Sequence, residues 1–267
     1  MVTTALQEYM TQHVASWSKP TLDPKMFGML KNSTPLSPSQ YLTFAEKDLR
    51  LGGPRGLVNS LANSKRAIDC QIFNLLDALG LPEPWSFPDR LDKLETLGLL
   101  APRVVRKIAQ LRNVLEHKYY KPSLSEAEDA LDIAALFLGT IRPYFAGGSY
   151  MENVWLADEA TENPRGEIIR THTHTMWSHS KEPRFTYSRG IFIAFEVGAK
   201  CIELALVHDN VELATVYVWP TDAGYVELQG LLLRSSVENL PYSRAGARRF
   251  IKILKATTAH SKPYGST

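Results

Sequence analysis

The chain has 267 residues, of which 44% are hydrophobic, enough to build one large core or two ordinary ones. Its formal net charge at pH 7 is +2, which excludes a protein that binds polyanions over its whole surface but leaves room for local basic patches. Its two cysteines lie far apart in apolar surroundings and predict buried thiols in a reducing compartment. With no signal peptide and no apolar run of membrane length in the sequence, we expect a soluble cytoplasmic protein and no membrane partner.

Apolar residues recur at steps of three and four between residues 39 and 144, which is the spacing of packed helices. A first helix is expected to end at the Gly-Gly-Pro sequence of residues 52–54, and a second carries its apolar stripe over residues 57–79. Three more helices are expected, at residues 89–97, at residues 103–117, and from Ser123 or Ser125 to about residue 143. The short connections predict an antiparallel helical bundle.

Beyond Gly147 and Gly148 the period of the apolar residues changes from helical to strand-like. The segments IFIAFEV, KCIELALVH and VELATVYVW are rich in β-branched and aromatic residues, as strands are. The last two are joined by Asp209 and Asn210, which suit a tight hairpin turn. The segment GEIIRTHTHTMW is expected to form another strand. A basic amphipathic helix with Phe250, Ile251 and Leu254 on its inner side is expected near the end of the sequence.

These patterns predict an α+β protein with two domains. Residues 1–38 are taken as an N-terminal extension, residues 39–146 as the helical bundle, and residues 150–267 as a mostly antiparallel β-rich domain with a C-terminal helix. Trp155, Trp177 and Trp219 are expected to serve the core of the β-rich domain.

The stretch LRNVLEHKYYKP, which begins at Leu111, places polar residues away from the apolar seam of its expected helix. At about 100° per residue, Asn113 lies about 200° from Leu111, and His117 lies about 200° from Leu115. A histidine there faces solvent or a second surface rather than the core. Pairing two copies of the helix about a two-fold axis would bring both copies of Arg112 and of His117 into one cleft. The alternative is a solvated helix face that happens to carry these residues.

The same stretch resembles the R-x(4)-H signature of the HEPN superfamily (higher eukaryotes and prokaryotes nucleotide-binding domains). Arg112 and His117 occupy its two defining positions, Asn113 has the polar type often seen after the arginine, and Tyr119 matches a trailing tyrosine. The segments AEKDLR and NSKRAIDCQIFNLLDALG resemble the first two helices of such domains, so the resemblance covers about residues 39–144. It implies an endoribonuclease that acts as a homodimer and needs no metal or other cofactor, with both motif copies lining the cleft between the subunits.

The residue types of the motif suit that chemistry. A histidine with a pKa near 6.5 exchanges protons with a ribose hydroxyl at neutral pH, which is the role implied for His117. The guanidinium of Arg112 offers a planar fork of donors to the scissile phosphate, and Asn113 can orient the imidazole or a phosphate oxygen. Lys118 and Tyr119 are the neighbouring candidates for binding RNA.

Polar residues of the second bundle helix extend the set of candidates. Lys65, Arg66 and Asp69 could face the cleft, and we take Lys65 and Asp69 as further RNA-binding candidates, with a solvated helix face as the alternative. In the last helix a basic stripe could follow an RNA backbone or could simply be solvated; it comprises Arg244, Arg248, Arg249, Lys252 and Lys255. His172, His174 and His179 form either a metal-binding group or a polar strand face.

Two functions follow from the resemblance. In one, the protein is a HEPN endoribonuclease of toxin–antitoxin, stress or defence systems, whose C-terminal domain selects RNA or senses a trigger. In toxin–antitoxin pairs of this kind a nucleotidyltransferase modifies the tyrosine that corresponds to Tyr119, although the long C-terminal half departs from such toxins. In the other, the protein is a non-catalytic HEPN dimerisation scaffold whose C-terminal domain recognises a ligand or partner.

Overall fold

The computed structural model describes residues 4–81, 86–99, 121–147, 150–158, 189–196, 198–209, 211–234 and 243–261, with the backbone alone for residues 24–27 and 151–152. The chain divides into two compact units. The helical unit is Met29–Gly148, and the sheet unit combines Met1–Gly28 with Ser149–Thr267. The predicted mixed α and β class is confirmed at this level, because helices dominate the first half of the described chain and antiparallel strands the second.

In chain order the helices are α1 (Ala5–Gln12), α2 (Pro38–Leu51), α3 (Gly53–Ala78), α4 (Phe87–Thr96), α5 (Leu124–Ala146), α6 (Tyr225–Arg234) and α7 (Arg244–Leu254). The strands are β1 (Pro20–Gly28), β2 (Tyr150–Asp158), β3 (Gly190–Glu196), β4 (Cys201–His208) and β5 (Val211–Val218). A short 3-10 turn at Val14–Ser16 follows α1. No helix among the described residues is both long and apolar enough to cross a membrane.

Side-chain caps set where the helices of the helical unit begin. Ser37 and Gln40 form a capping box at the start of α2, in which each side chain accepts a hydrogen bond from the other residue's backbone N–H. Ser123 and Glu126 form the same arrangement at the start of α5. Ser123 rather than Ser125 is therefore the N-cap, because it is the Ser123 hydroxyl that accepts the hydrogen bond of the Glu126 N–H, and α5 begins at Leu124.

The predicted break between the first two bundle helices is confirmed. α2 ends at Leu51, and Gly52 follows with a φ of 65°, a conformation that favours glycine. α3 starts one residue later and packs closely along α2. Gly56 makes that approach possible, because a Cβ atom there would lie 2.5 Å from the carbonyl oxygen of Asp48.

The core of the helical unit lies along one face of α3, which packs against α2 and α5. Its fully buried members include Ala67, Ile68, Ile72, Leu75 and Leu76. Asn74 is also buried, and its side chain accepts hydrogen bonds from the N–H groups of Ser33 and Thr34 and donates one to the Thr34 hydroxyl. Because a buried amide must be paired, these bonds fix the segment before α2 onto α3.

The sheet has the simple order β1-β2-β3-β4-β5, and every neighbouring pair is antiparallel. Trp155 of β2 lies beside Phe192 of β3, which lies beside Ala205 of β4, and these side chains belong to one buried cluster. On the opposite face the Tyr150 ring packs edge-on against Phe195. Side chains on both faces of β3 and β4 are buried, which explains why the alternation of these strands in the sequence is only partial.

Two sequence predictions about the C-terminal half are confirmed. β4 and β5 form a hairpin in which His208 pairs with Val211, and Asp209 in the turn has a φ of 49°, which aspartate tolerates better than most residues. α7 forms near the end of the sequence as its amphipathic pattern predicts, with Phe250 and Leu254 of the expected inner side buried and Ile251 half-buried.

The N-terminal segment differs from its sequence assignment as an extension over residues 1–38. α1 and β1 belong to the sheet unit, where β1 forms an edge strand paired with β2, and the helical unit begins at Met29. Leu6, Tyr9 and Leu22 of this segment are buried. The local sequence pattern conceals this strand because β1 contains Pro20 and Pro24, and proline usually interrupts a strand, although it is accepted in edge strands.

Candidate functional site

The residues of the R-x(4)-H motif, Arg112, Asn113 and His117, lie outside the described residues, as do Lys118 and Tyr119. The same holds for the expected helix at residues 103–117, for the expected strand at residues 166–177, and for His172, His174 and His179. In the chain, the motif falls between α4 and α5, which belong to the helical unit together with α2 and α3.

Lys65 and Asp69, the other two RNA-binding candidates, lie one turn apart on α3 and are both half-buried. Asp69 lines a surface cavity of about 520 Å³, and Lys65 is not among the residues that line it. The cavity is formed by α3, by the segment before α2, and by the side chains of Tyr41 in α2 and Arg90 in α4. Of these two neighbouring residues, Asp69 is therefore the one that lines the cavity.

The lining of this cavity combines charge with aromatic surface. Arg66, Asp69 and Phe73 of α3 line it at steps of three and four, so they project from the same side of the helix. Arg66 donates a hydrogen bond to the side chain of Asn63 at 3.1 Å. Arg90 and Tyr41 come from other helices, so only the α3 residues could have been grouped from the sequence. Guanidinium groups beside aromatic rings suit a ligand that has both a base and a phosphate.

Both cysteines are free and buried, as the sequence predicted. The Cys70 sulfur lies 3.2 Å from the Thr34 hydroxyl oxygen and 3.4 Å from the Leu36 carbonyl oxygen, at the same cavity. Burial, together with the nearby carboxylates of Glu196 and Glu203, raises the pKa of the Cys201 thiol to about 12. A thiol with so high a pKa does not act as a nucleophile near neutral pH. Among the described residues, no group of three or more histidine, cysteine or acidic side chains is arranged to hold a metal ion.

The sheet unit contains a cluster of ionisable side chains that join three of its elements. The ring of His13, at the end of α1, packs against the ring of His208, at the end of β4, with centroids 3.9 Å apart and the ring planes tilted by 32°. Arg189, just before β3, forms an ion pair of 2.7 Å with Asp209 in the hairpin turn. The Tyr9 hydroxyl of α1 donates to the carbonyl oxygens of Gly190 and Val207.

The pKa shifts in this cluster have clear physical causes. Burial lowers the pKa of His13, and the neighbouring cationic groups of His208 and Arg189 lower it further. The hydrogen bond from Arg189 lowers the pKa of Asp209. Burial raises the pKa of Tyr9 well above its ordinary value. These groups are tied to each other across α1, β3 and the β4–β5 turn, so their evident role is to hold these elements together.

The basic stripe predicted near the end of the sequence lies on α7. Arg244, Arg248 and Lys252 follow one another at steps of four and are all exposed, on the side of the helix away from Phe250 and Leu254. Steps of four keep charges within a narrow arc of the helix surface, so the stripe can follow a polyanionic backbone.

Comparisons of this chain with protein-family models, with curated proteins and with solved structures found no match. The likeness to HEPN domains therefore rests on the motif and on the sequence of the flanking helices.

Proposed function

We propose that the protein is a metal-independent endoribonuclease of the HEPN type that acts as a homodimer. The observation that carries the proposal is the R-x(4)-H pattern of Arg112 and His117, located in the chain between α4 and α5 of one helical unit. We expect a homodimer because the reaction needs one group to accept a proton and another to donate one, and the motif histidine of a second chain is the natural donor.

In the proposed reaction His117 of one chain takes the proton from a ribose 2′-hydroxyl, whose oxygen attacks the adjacent phosphorus. The bond from phosphorus to the 5′-oxygen breaks, and the protonated motif histidine of the second chain donates a proton to that oxygen. The products are a 2′,3′-cyclic phosphate and a 5′-hydroxyl end. Arg112 stabilises the negative charge that develops on the phosphorane, and Asn113 orients the imidazole.

Residues outside the catalytic group would hold the RNA. Lys118 and Tyr119 follow the motif, and Lys65 and Asp69 lie on α3 of the same unit. The exposed basic stripe of α7, which includes Arg248 and Lys252, would add electrostatic attraction to backbone phosphates. Because the groups on α7 are exposed, their contribution should fall steeply with salt concentration.

A biological setting follows from the same resemblance. We propose a cytoplasmic role in toxin–antitoxin, stress or defence biology, in which a nucleotidyltransferase-type antitoxin modifies Tyr119. The second candidate function is a non-catalytic HEPN scaffold whose β-rich part recognises a ligand or partner. The size of the sheet unit, which includes residues from both ends of the chain, supports this second function because a scaffold needs a part that recognises a ligand or partner.

The two functions are separated by incubating the purified protein with total RNA in EDTA. Wild-type protein should produce fragments with 2′,3′-cyclic phosphate ends, and His117→Ala should lower the rate by about 10²–10⁴-fold because acid–base assistance is lost. His260→Ala is the matched control, since that side chain is exposed in the sheet unit. Cleavage that survives in His117→Ala, or that EDTA abolishes, would overturn the ribonuclease proposal. Wild-type protein that binds RNA without cutting it would favour the scaffold.

A further inference from the structure

A second cavity of the helical unit, of about 310 Å³, is lined by polar groups that come from three helices. Ser39 lies in the first turn of α2, Gln71 lies on α3, and Arg142 lies on α5. The remaining lining residues are Asn32, Ser37, Pro38, Leu42, Ala135, Leu138, Gly139, Phe145 and Ala146. None of them belongs to the R-x(4)-H motif.

The N-terminus of α2 supplies the first donor. The capping box already satisfies the N–H groups of Ser37 and Gln40, and Pro38 has no N–H. The N–H of Ser39 has no hydrogen-bond partner in the described part of the chain. An unpaired N–H in the first turn of a 14-residue helix lies at the positive end of the helix dipole, where anions bind.

Gln71 supplies an independent indication that a ligand belongs here. Its side chain is 6% exposed, and its amide nitrogen has no hydrogen-bond partner among the described residues. Nearly all buried amides in proteins are paired, so an unpaired one that lines a cavity points to a partner that binds there. The unpaired nitrogen is itself shielded from solvent, and a half-turn of the last side-chain torsion, which exchanges the amide oxygen and nitrogen, would present its N–H to the cavity.

The electrostatic balance of the cavity is set by Arg142, the one charged side chain among the residues that line it. Arg142 is exposed and makes no hydrogen bond or ion pair with the described residues. The C-terminal end of α5 also lines the cavity and carries about half a negative charge, which offsets the half positive charge at the start of α2. The full charge of the guanidinium therefore remains, and the cavity attracts an anion.

We infer that this cavity binds a phosphate group, held by the Arg142 guanidinium, the Ser39 N–H and the Gln71 amide. Donors on three different helices approach a ligand from separate directions, which suits the tetrahedral oxygens of a phosphate better than a planar carboxylate. The phosphate can come from an RNA backbone or from a free nucleotide, and the same donors would hold it in either case. The inference does not rest on the proposed ribonuclease activity, because binding at this cavity requires no cleavage.

Gly139 offers a direct way to test the site with a matched control. It lines the cavity, and a Cβ atom on it would have no neighbour within 4 Å outside its own helix. Gly139→Asp therefore places a carboxylate at the cavity with open space around its Cβ atom, whereas Gly139→Ala adds only a methyl group. Arg142→Gln removes the charge of an exposed side chain and is a second variant that folding should tolerate.

The experiment is a titration of the full chain followed by the NMR shifts of the Ser39 backbone amide and the Gln71 side-chain amide. The probes are inorganic phosphate, a nucleoside 5′-monophosphate, and a short RNA with every 2′-hydroxyl methylated so that it cannot be cut. The resonances of both amides should shift as each probe is added and should stop shifting when the site is saturated. Gly139→Asp and Arg142→Gln should each raise the Kd by about 10-fold or more, as expected for the loss of a charge-assisted hydrogen bond, and Gly139→Ala should leave it unchanged.

The probes also identify the source of the phosphate. Saturation by the methylated RNA at lower concentration than by the mononucleotide assigns the site to the RNA backbone, and the reverse order assigns it to free nucleotides. The inference is overturned if no probe shifts the two amides, or if Gly139→Asp binds as well as Gly139→Ala. If the wild-type protein binds phosphate at this cavity but does not cleave RNA, the ribonuclease proposal is overturned and the phosphate site remains.

Discussion

The helical unit and the sheet unit solve the problem of burying polar groups in different ways. In the sheet unit several polar groups that join its elements are paired with one another, as in the ion pair of Arg189 with Asp209 and the hydrogen bond of Tyr150 to Gln229, although the buried Nδ1 atom of His208 has no hydrogen-bond partner among the described residues. In the helical unit α3 carries Ser60, Ser64 and Gln71 on one buried face, each with a polar atom that has no hydrogen-bond partner among the described residues.

This difference matters because proteins satisfy nearly all buried polar groups unless a site requires otherwise. The sheet unit has the character of a scaffold, with its strands β3 and β4 buried on both faces. The helical unit leaves donors and acceptors available along α3 and includes the motif in its chain. We therefore expect the binding and catalytic sites of the protein to lie in the helical unit.

The largest expected effect tests whether the two units are separate in stability as well as in architecture. Trp155→Ala in the sheet unit and Phe137→Ala in the helical unit each remove a large buried side chain and should each cost about 3–5 kcal/mol of unfolding free energy. Hydrogen exchange should accelerate in β2 to β4 for the first variant and in α3 and α5 for the second. Equal acceleration in both units for either variant would show one cooperative structure.

The second prediction assigns catalysis to the helical unit and electrostatic attraction of RNA phosphates to α7 of the sheet unit. Arg112→Lys should lower RNA cleavage by about 10²–10³-fold, because an ammonium group cannot reproduce the planar fork that stabilises the phosphorane. Arg248→Lys, on the exposed stripe of α7, keeps its charge and should leave the rate within about two-fold. A comparable loss in both variants would mean that α7 contributes more than attraction to the RNA backbone.

The third prediction compares a helix cap in each unit. Ser123→Ala breaks the two-way capping box of α5, and Ser243→Ala removes the hydrogen bond that the Gly246 N–H donates to the serine hydroxyl at the start of α7. Within the range of about 0.5–2 kcal/mol for such losses, the first should be the larger because it disturbs two backbone N–H groups. Urea unfolding of both variants measures the difference. Equal values would show that the Glu126 half of the box adds no stability.

The smallest expected effect is a pH dependence confined to the sheet unit. Because the pKa of His13 is lower in the folded protein, the unfolded chain binds more protons near pH 6, and stability should fall as the pH drops below about 6.5. The pKa of Asp209 is also lowered, and its contribution is lost only at a more acidic pH, below about 4.

The variant His13→Gln isolates the histidine contribution. The urea midpoint of the wild-type sheet unit, followed by hydrogen exchange, should decrease between pH 7.5 and pH 5.5, and the decrease should be smaller in His13→Gln. An identical decrease in both proteins would assign the pH dependence to other groups.

The sequence by itself determined the elements whose signals are local. The apolar period and the glycines at residues 52 and 53 predicted α2 and α3, and the residues of the hairpin turn predicted the junction of β4 and β5. Each of these signals lies within a few residues of the structure that it produces, so no knowledge of the fold was needed.

The tertiary structure decided whatever depends on residues far apart in the chain. β1 joins the sheet through pairing with β2, more than a hundred residues later, although its prolines hide the strand pattern. α3 carries Asp69 into one cavity and Gln71 into another, two residues apart but on different sides of the helix. Arg142 lines the same cavity as Ser39 and Gln71 only because α5 packs against α2 and α3. Bringing such distant residues together costs loop-closure entropy, which is offset by many contacts in the core. No local pattern in a single sequence contains the sum of those contacts.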